Sequence, residues 1–156
     1  MATWRQIETD APDFAARVRR RFDSGTNKTL ATLRRDGSPR ISGSEMTFSS
    51  DGEVTLGMMS ASMKLQDVRR DPRVALHSPT LEPPADPTQW EGDAKLAGSL
   101  IEIDHDDDSD SGAGSFRLDI TEVVLTYVGT PADHLVIEAG IQVVVGSGGP
   151  GSDRTA

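Results

Sequence analysis

Residues 29–59 read TLATLRRDGSPRISGSEMTFSSDGEVTLGMM. Thr29–Arg34 alternates with the period of two that marks a half-buried strand, and Asp36-Gly37 supplies a hairpin turn. Pro39–Ser49 follows as a second strand. Asp51-Gly52 is another hairpin signal, and Glu53–Met59 is a third strand. Three strands joined by two tight turns predict an antiparallel meander, not a doubly wound parallel sheet.

Upstream, Asp10–Ser24 carries a helical period. Asp10 is placed to cap it and Pro12 sits in the first turn. Phe14, Ala15, Val18 and Phe22 recur at helical spacing, and Gly25 stops the helix. Arg17, Arg19, Arg20 and Arg21 crowd its later part, where cations complement the helix dipole, and such a run reads as a solvated face. Downstream, Ser60–Arg70 reads as a short helix that Ser60 or Ser62 can cap, with Ala61, Leu65 and Val68 on one face. Asp71-Pro72 ends it, because the residue before proline avoids the helical region.

Arg73–Ser78 is a fourth strand, and Pro79–Gln89, with four prolines, is a loop. Gly92–Ile103 is a long fifth strand with Gly98 as a bulge position. Asp104–Gly114 is acidic and nearly without apolar residues, which predicts a mobile loop. Phe116–Val128 and His134–Val145 complete the strands. The expectation is a mainly β fold, a small barrel of six or seven antiparallel strands with two short helices. A single domain spans residues 3–145, and the Gly/Ser-rich stretch 146–156 is expected to be a disordered tail.

The 156 residues are enough for one domain with a real core. The net charge of −9 divides unevenly, with residues 1–73 at +3 and residues 74–156 at −12. The negative field argues against nucleic acid and anionic membranes as partners, while the basic half leaves room for a local anion site. Segment 102–110 alone holds six of the acidic groups. No cysteine is present, so disulfides, zinc–thiolate sites, iron–sulfur clusters and thiol catalysis are excluded. The opening residues lack the apolar run of a signal peptide, and no stretch approaches 18 apolar residues; a cytoplasmic location is the expectation.

Most catalytic and metal patterns fail on spacing. The run Asp104–Asp110 does not make a calcium loop. Counted from Asp107, Gly112 fits the sixth position, but Leu118 stands where a bidentate glutamate is needed. His77, His105 and His134 share no ligand spacing, and no metal site is expected. No Gly-x-Ser-x-Gly elbow is present. The glycines at 112–114 and 146–151 are not followed by a helix, so neither is a dinucleotide loop.

What remains is a basic cluster: Arg40 near the start of the second strand, Lys64 in the first turn of the second helix, then Arg69, Arg70 and Arg73. A helix N-terminus offers unpaired N–H groups and partial positive charge, Ser60 and Ser62 add hydroxyls, and an arginine on a neighbouring strand could clamp the same phosphate. Surface salt bridging is the competing reading.

The order of these pieces carries a resemblance. Thr32-Leu33-Arg34-Arg35-Asp36-Gly37-Ser38-Pro39-Arg40-Ile41-Ser42 resembles the start of the second strand in the pyridoxamine 5′-phosphate oxidase-like, flavin-binding split-barrel family. Ser62-Met63-Lys64-Leu65-Gln66-Asp67-Val68-Arg69-Arg70-Asp71-Pro72-Arg73-Val74-Ala75-Leu76 resembles its phosphate-binding helix and the next strand. Gly92–Gly98 and Phe116–Val124 are similar to later strands, the second in actinobacterial members, and the similarity covers about residues 3–138.

The resemblance implies a split β-barrel that forms a homodimer, with cofactors in grooves between subunits. It implies that Arg40, Ile41 and Ser42 line the groove and that Met58 and Met59 lie against the ring system. Lys64 with Ser62 would hold the phosphate, and His77 and Ser78 would close the site from the partner. Ordinary core packing is the other reading of Met58 and Met59, and a solvated strand end that of His77. Met63 stands where the family often has a second cation, and the chain departs from the family after Glu138. The implied activity is a flavin- or deazaflavin-dependent oxidoreductase using FMN or coenzyme F-420 and passing hydride to a small organic substrate. No catalytic acid or base is identified. The alternative is a non-catalytic binder of flavin, deazaflavin or a tetrapyrrole, with His77 as the axial ligand if that is haem.

Overall fold

The structure is a computed structural model that describes residues 1–103 and 112–140. The acidic run 104–110, most of the expected mobile loop, the segment 141–145 and the tail 146–156 lie outside the described residues.

Two helices precede the first strand. α1 (Trp4–Asp10) starts at a capping box in which the Gln6 N–H donates to Thr3 Oγ1 at 3.2 Å and the Thr3 N–H donates to Gln6 Oε1 at 2.8 Å. α2 (Pro12–Phe22) starts directly on Pro12, so Asp10 ends α1 instead of capping α2. Trp4, Ile7, Ala15, Val18 and Phe22 face the core. Phe48 meets Trp4 with ring centroids 4.7 Å apart and Phe22 at 6.2 Å.

The arginines of α2 are not one solvated face. Arg21 is buried, its Nε donates to the Gly92 carbonyl at 2.7 Å, and it pairs with Glu91 at 3.0 Å. Arg17 lies over the Tyr127 ring and Arg19 over that of Phe48. The aliphatic stems cover apolar surface that the charge pattern hides.

The strands are β1 (Lys28–Leu33), β2 (Pro39–Ser44), β3 (Thr47–Phe48), β4 (Val54–Met58), β5 (Arg73–His77), β6 (Asp93–Glu102), β7 (Gly114–Val128) and β8 (Leu135–Gly140). Helix α3 (Met63–Arg70) lies between β4 and β5. The sheet order is β2-β1-β5-β6-β7-β4-β3, with β8 also on β7, and every pairing is antiparallel. The mainly β barrel class therefore holds.

The three-strand meander does not. The expected strand Pro39–Ser49 is two strands, and β4 pairs with β7, Leu56 opposite Phe116. Met46 and Phe48 are both buried, Phe48 against the rings of the helices. The chain leaves β1 after Ser44 to bring them there, so the two hairpins end up at opposite ends of the sheet.

Gly98 marks the bulge expected of it. The β6–β7 register shifts between Ala97 and Gly98, and a Cβ at Gly98 would collide with the Asp119 carbonyl oxygen. One sheet face carries the core through Leu30, Leu76, Leu96, Leu118 and Leu125. The other bears a row of cross-strand partners, Ile41, Ala31, Ala75 and Ala97, with Ile41 74% exposed.

Candidate functional site

α3 begins where the sequence allows. Ser62 is its N-cap, accepting the Leu65 N–H at 3.4 Å and donating its hydroxyl to the Met59 carbonyl at 2.8 Å. Leu65 and Val68 are buried and seat the helix against β1. Lys64 Nζ donates to the Gly43 carbonyl of β2 at 2.8 Å. One turn on, Arg40 of β2 donates through Nε to Asp67 Oδ2 at 2.7 Å. At the end of the helix Arg70 reaches the Leu33 carbonyl at 2.8 Å and Asp67 Oδ1 at 3.1 Å. Basic groups thus follow the β2–α3 seam along its length.

Asp67 is the hub of this seam. It is 2% exposed and also accepts the Thr32 hydroxyl at 2.8 Å. Burial works against its ionisation, but the hydrogen bonds from Arg40, Thr32 and Arg70 outweigh it and hold the carboxyl below its ordinary range. Beside the seam the Ser42 hydroxyl oxygen is buried without a hydrogen-bond partner. Ser42 lies between Arg40 and Gly43 on β2, and its cross-strand partner is Leu30.

The expected site residues fall into three groups. Arg40, Ser42, Ser62 and Lys64 gather at the seam, Ile41 points to the opposite face of β2, and Met59, 78% exposed, stands where the chain enters α3. His77 lies two strands from Gly43, with Thr29 between them. Its Nδ1 is 2.6 Å from the Ser78 carbonyl, and its Nε2 faces Asp93 at 3.7 Å. Met58 is 4% exposed and belongs to the core. Ser78 is buried, and its hydroxyl accepts the Ala94 N–H at 3.0 Å.

Two cations of the expected cluster turn away. Arg69 pairs with Glu102 at 2.6 Å, and Arg73 with Asp71 at 2.7 Å. These are the surface salt bridges of the competing reading. Arg73 is the main reason that the Asp71 carboxyl is lowered to about 2. The sequence reading missed Asp67 as an organising residue; a carboxylate on the helix face at 63, 66, 67 and 70 was the signal for it.

Lys64 uses one of three ammonium donors on Gly43, and the orphaned Ser42 hydroxyl adds another. Among the described residues no group of three or more His, Cys, Asp or Glu side chains could hold a metal ion, and no helix is long and apolar enough to cross a membrane.

No family model matches the chain, and no curated protein does. Solved structures do. A heme binding protein from Mycobacterium smegmatis shares 19% identity at a TM-score of 0.55, over 79% of this chain and 57% of that one. General Stress Protein 26 from Bacillus anthracis shares 12% at 0.54, over 70% and 91%. A conserved hypothetical protein from Mycobacterium tuberculosis shares 19% at 0.52, over 74% and 81%. The chain spans little more than half the length of the first. These are likenesses of fold alone, and they agree with a mainly β split barrel built from antiparallel strands.

Proposed function

We propose that the β2–α3 seam binds the phosphate of a flavin or deazaflavin cofactor, FMN or coenzyme F-420, and that the protein is an oxidoreductase acting on a small organic substrate. The observation that carries this reading is the Lys64 ammonium at the first turn of α3, beside the buried, unpartnered Ser42 hydroxyl. Bound there, the cofactor would supply hydride transfer. Lys64 and Ser42 grip the phosphate, Arg40 is held in place by Asp67, and the exposed Met59 offers an apolar contact to the ring. Met58 and Ser78, both interior, act by supporting the strands that carry the site.

The cofactor groove is completed by a second copy of the chain in this reading. The row of Ile41, Ala31, Ala75 and Ala97, half-buried to exposed, offers an apolar strip on which two sheets would meet, and His77 on the same face would approach the partner's cofactor. The likeness to a heme binding protein motivates the alternative of tetrapyrrole binding. That alternative is less well supported, because His77 Nε2, the nitrogen left to ligate once Nδ1 is bonded to the Ser78 carbonyl, faces the Asp93 carboxylate at 3.7 Å.

Fluorescence titration of the full chain with FMN and with F-420 tests the proposal. Binding by at least one is expected at micromolar concentration or below, weakened more than tenfold by Lys64→Glu, which corresponds to about 1.4 kcal/mol. Failure of both cofactors to bind at low salt overturns it.

A further inference from the structure

A second cluster of cations lies along the face of α3 that carries Met63, Gln66, Asp67 and Arg70. The β1–β2 hairpin carries Arg34 and Arg35 within its turn. The turn is held firmly: Gly37 has φ +84°, its N–H donates to the Arg34 carbonyl at 2.9 Å, and Asp36 accepts both the N–H and the hydroxyl of Ser38. Arg40 follows on β2, and Arg70 stands across from the hairpin on α3. Together these four arginines line an open pocket of about 410 Å³, with only Asp36 and Asp67 as anions in its wall. The volume lies within the roughly 300–1,000 Å³ of small-molecule sites.

The two carboxylates do not neutralise the pocket. Asp67 is saturated by Arg40, Arg70 and Thr32 inside the fold. Asp36 is taken up by Ser38, which with the nearby Arg34 keeps it ionised. Neither Arg34 nor Arg35 makes a side-chain hydrogen bond or ion pair within the described residues. Such an excess of guanidinium is unusual in a chain of net charge −9. Guanidinium forks match the oxygens of phosphate, and two unpaired ones beside two that share a single carboxylate leave an excess of positive charge that a dianion would relieve.

We propose that this hairpin pocket, adjoining the cofactor seam, is a second site for a compact phosphate dianion, either free phosphate or the phosphate of a small monoester. Arg34 and Arg35 make the direct contacts. Arg40 and Arg70, fixed by Asp67, supply the charged wall. Gln66, also in the wall, adds a neutral donor. The site shares Arg40 with the cofactor seam, but Lys64 is not in its lining, so Lys64 variants tell the two apart.

Amide NMR of the full chain tests it, with inorganic phosphate as the first probe, glycerol 3-phosphate as the second and sodium chloride at matched ionic strength as the control. The amides of Arg35, Asp36 and Gly37 are expected to shift saturably with phosphate at low millimolar concentration or below, and not with chloride. Tighter saturation by glycerol 3-phosphate identifies a monoester; equal or weaker saturation identifies free phosphate. The double change Arg34→Ser with Arg35→Ser is expected to weaken the effect more than tenfold, and Arg35→Ser alone to weaken it in part. Lys64→Gln is expected to leave it intact while weakening FMN or F-420. Hairpin shifts that track ionic strength alone, that survive the double change, or that vanish with Lys64→Gln overturn the proposal.

Discussion

Arg40 Nε lies 2.7 Å from Asp67 Oδ2, and this contact joins β2 to α3 through a carboxylate that is almost wholly buried. Thr32 and Arg70 bind the same carboxylate, so one side chain sets the spacing of strand, helix and hairpin. Removing one partner of a buried pair leaves the others uncompensated.

Asp67→Asn is therefore expected to cost about 3 kcal/mol, since an amide keeps the shape but loses the charge that holds two guanidinium groups. The pH dependence follows from the sign of the shift. The folded-state value lies below the ordinary 3.8, so the stabilisation is fully present above that value and is lost as pH falls through the folded value. Urea midpoints of the natural chain and the variant should differ most at pH 7 and converge below about pH 4. A difference that stays constant down to pH 3 would contradict the role given to Asp67.

Ser42→Ala separates binding from folding. A buried hydroxyl without a partner costs about 1–3 kcal/mol, so its removal should leave the free chain as stable or more so. If that hydroxyl awaits a cofactor phosphate, affinity for FMN or F-420 should fall about fivefold, the worth of one hydrogen bond. Thermal denaturation with and without cofactor reads both effects. Reduced stability together with unchanged affinity would count against the cofactor seam.

Arg21→Ala probes the clamp between α2 and the start of β6. The buried Nε–carbonyl bond to Gly92 is a charged hydrogen bond worth about 1.5–3 kcal/mol. The Glu91 pair adds little, because Glu91 is half exposed. Chemical denaturation should show a loss of about 2–3 kcal/mol, and Arg21→Met, which keeps the stem packing, should recover part of it. Equal losses for both variants would place the effect in the hydrogen bond alone.

The parts legible in the sequence were those with local causes. Asp36-Gly37 and Asp51-Gly52 make hairpin turns because their residues suit the turn itself, and the two glycines there have φ +84° and +82°. Ser62 caps α3, and Gly98 yields to a neighbouring carbonyl. α1 escaped notice because a seven-residue helix with two buried residues has almost no period to read; only its capping box marked it. Strand order was illegible for a different reason: β4 finds β7 through Leu56 and Phe116, sixty residues apart, and nothing near either residue encodes the pairing. Asp67 was hidden in the same way, since Thr32 and Arg40 approach it from 35 and 27 residues away.

Ile41 offers the sharpest test of assembly. It projects from the outer sheet face at 74% exposure, opposite Ala31 and in line with Ala75 and Ala97. A second copy laid on this face would bury one isoleucine from each chain, about 1.5–3 kcal/mol apiece. Light scattering of the natural chain at micromolar concentration is expected to give about twice 16.7 kDa. Ile41→Asp sets a charge against its own symmetry mate and should reduce the mass to that of one chain. Because the proposed groove is shared between subunits, the same variant should also weaken FMN or F-420. The fold should survive, because Ile41 lies outside the core. A natural chain that scatters as a single copy, or a variant that remains a dimer, would remove this face from the assembly.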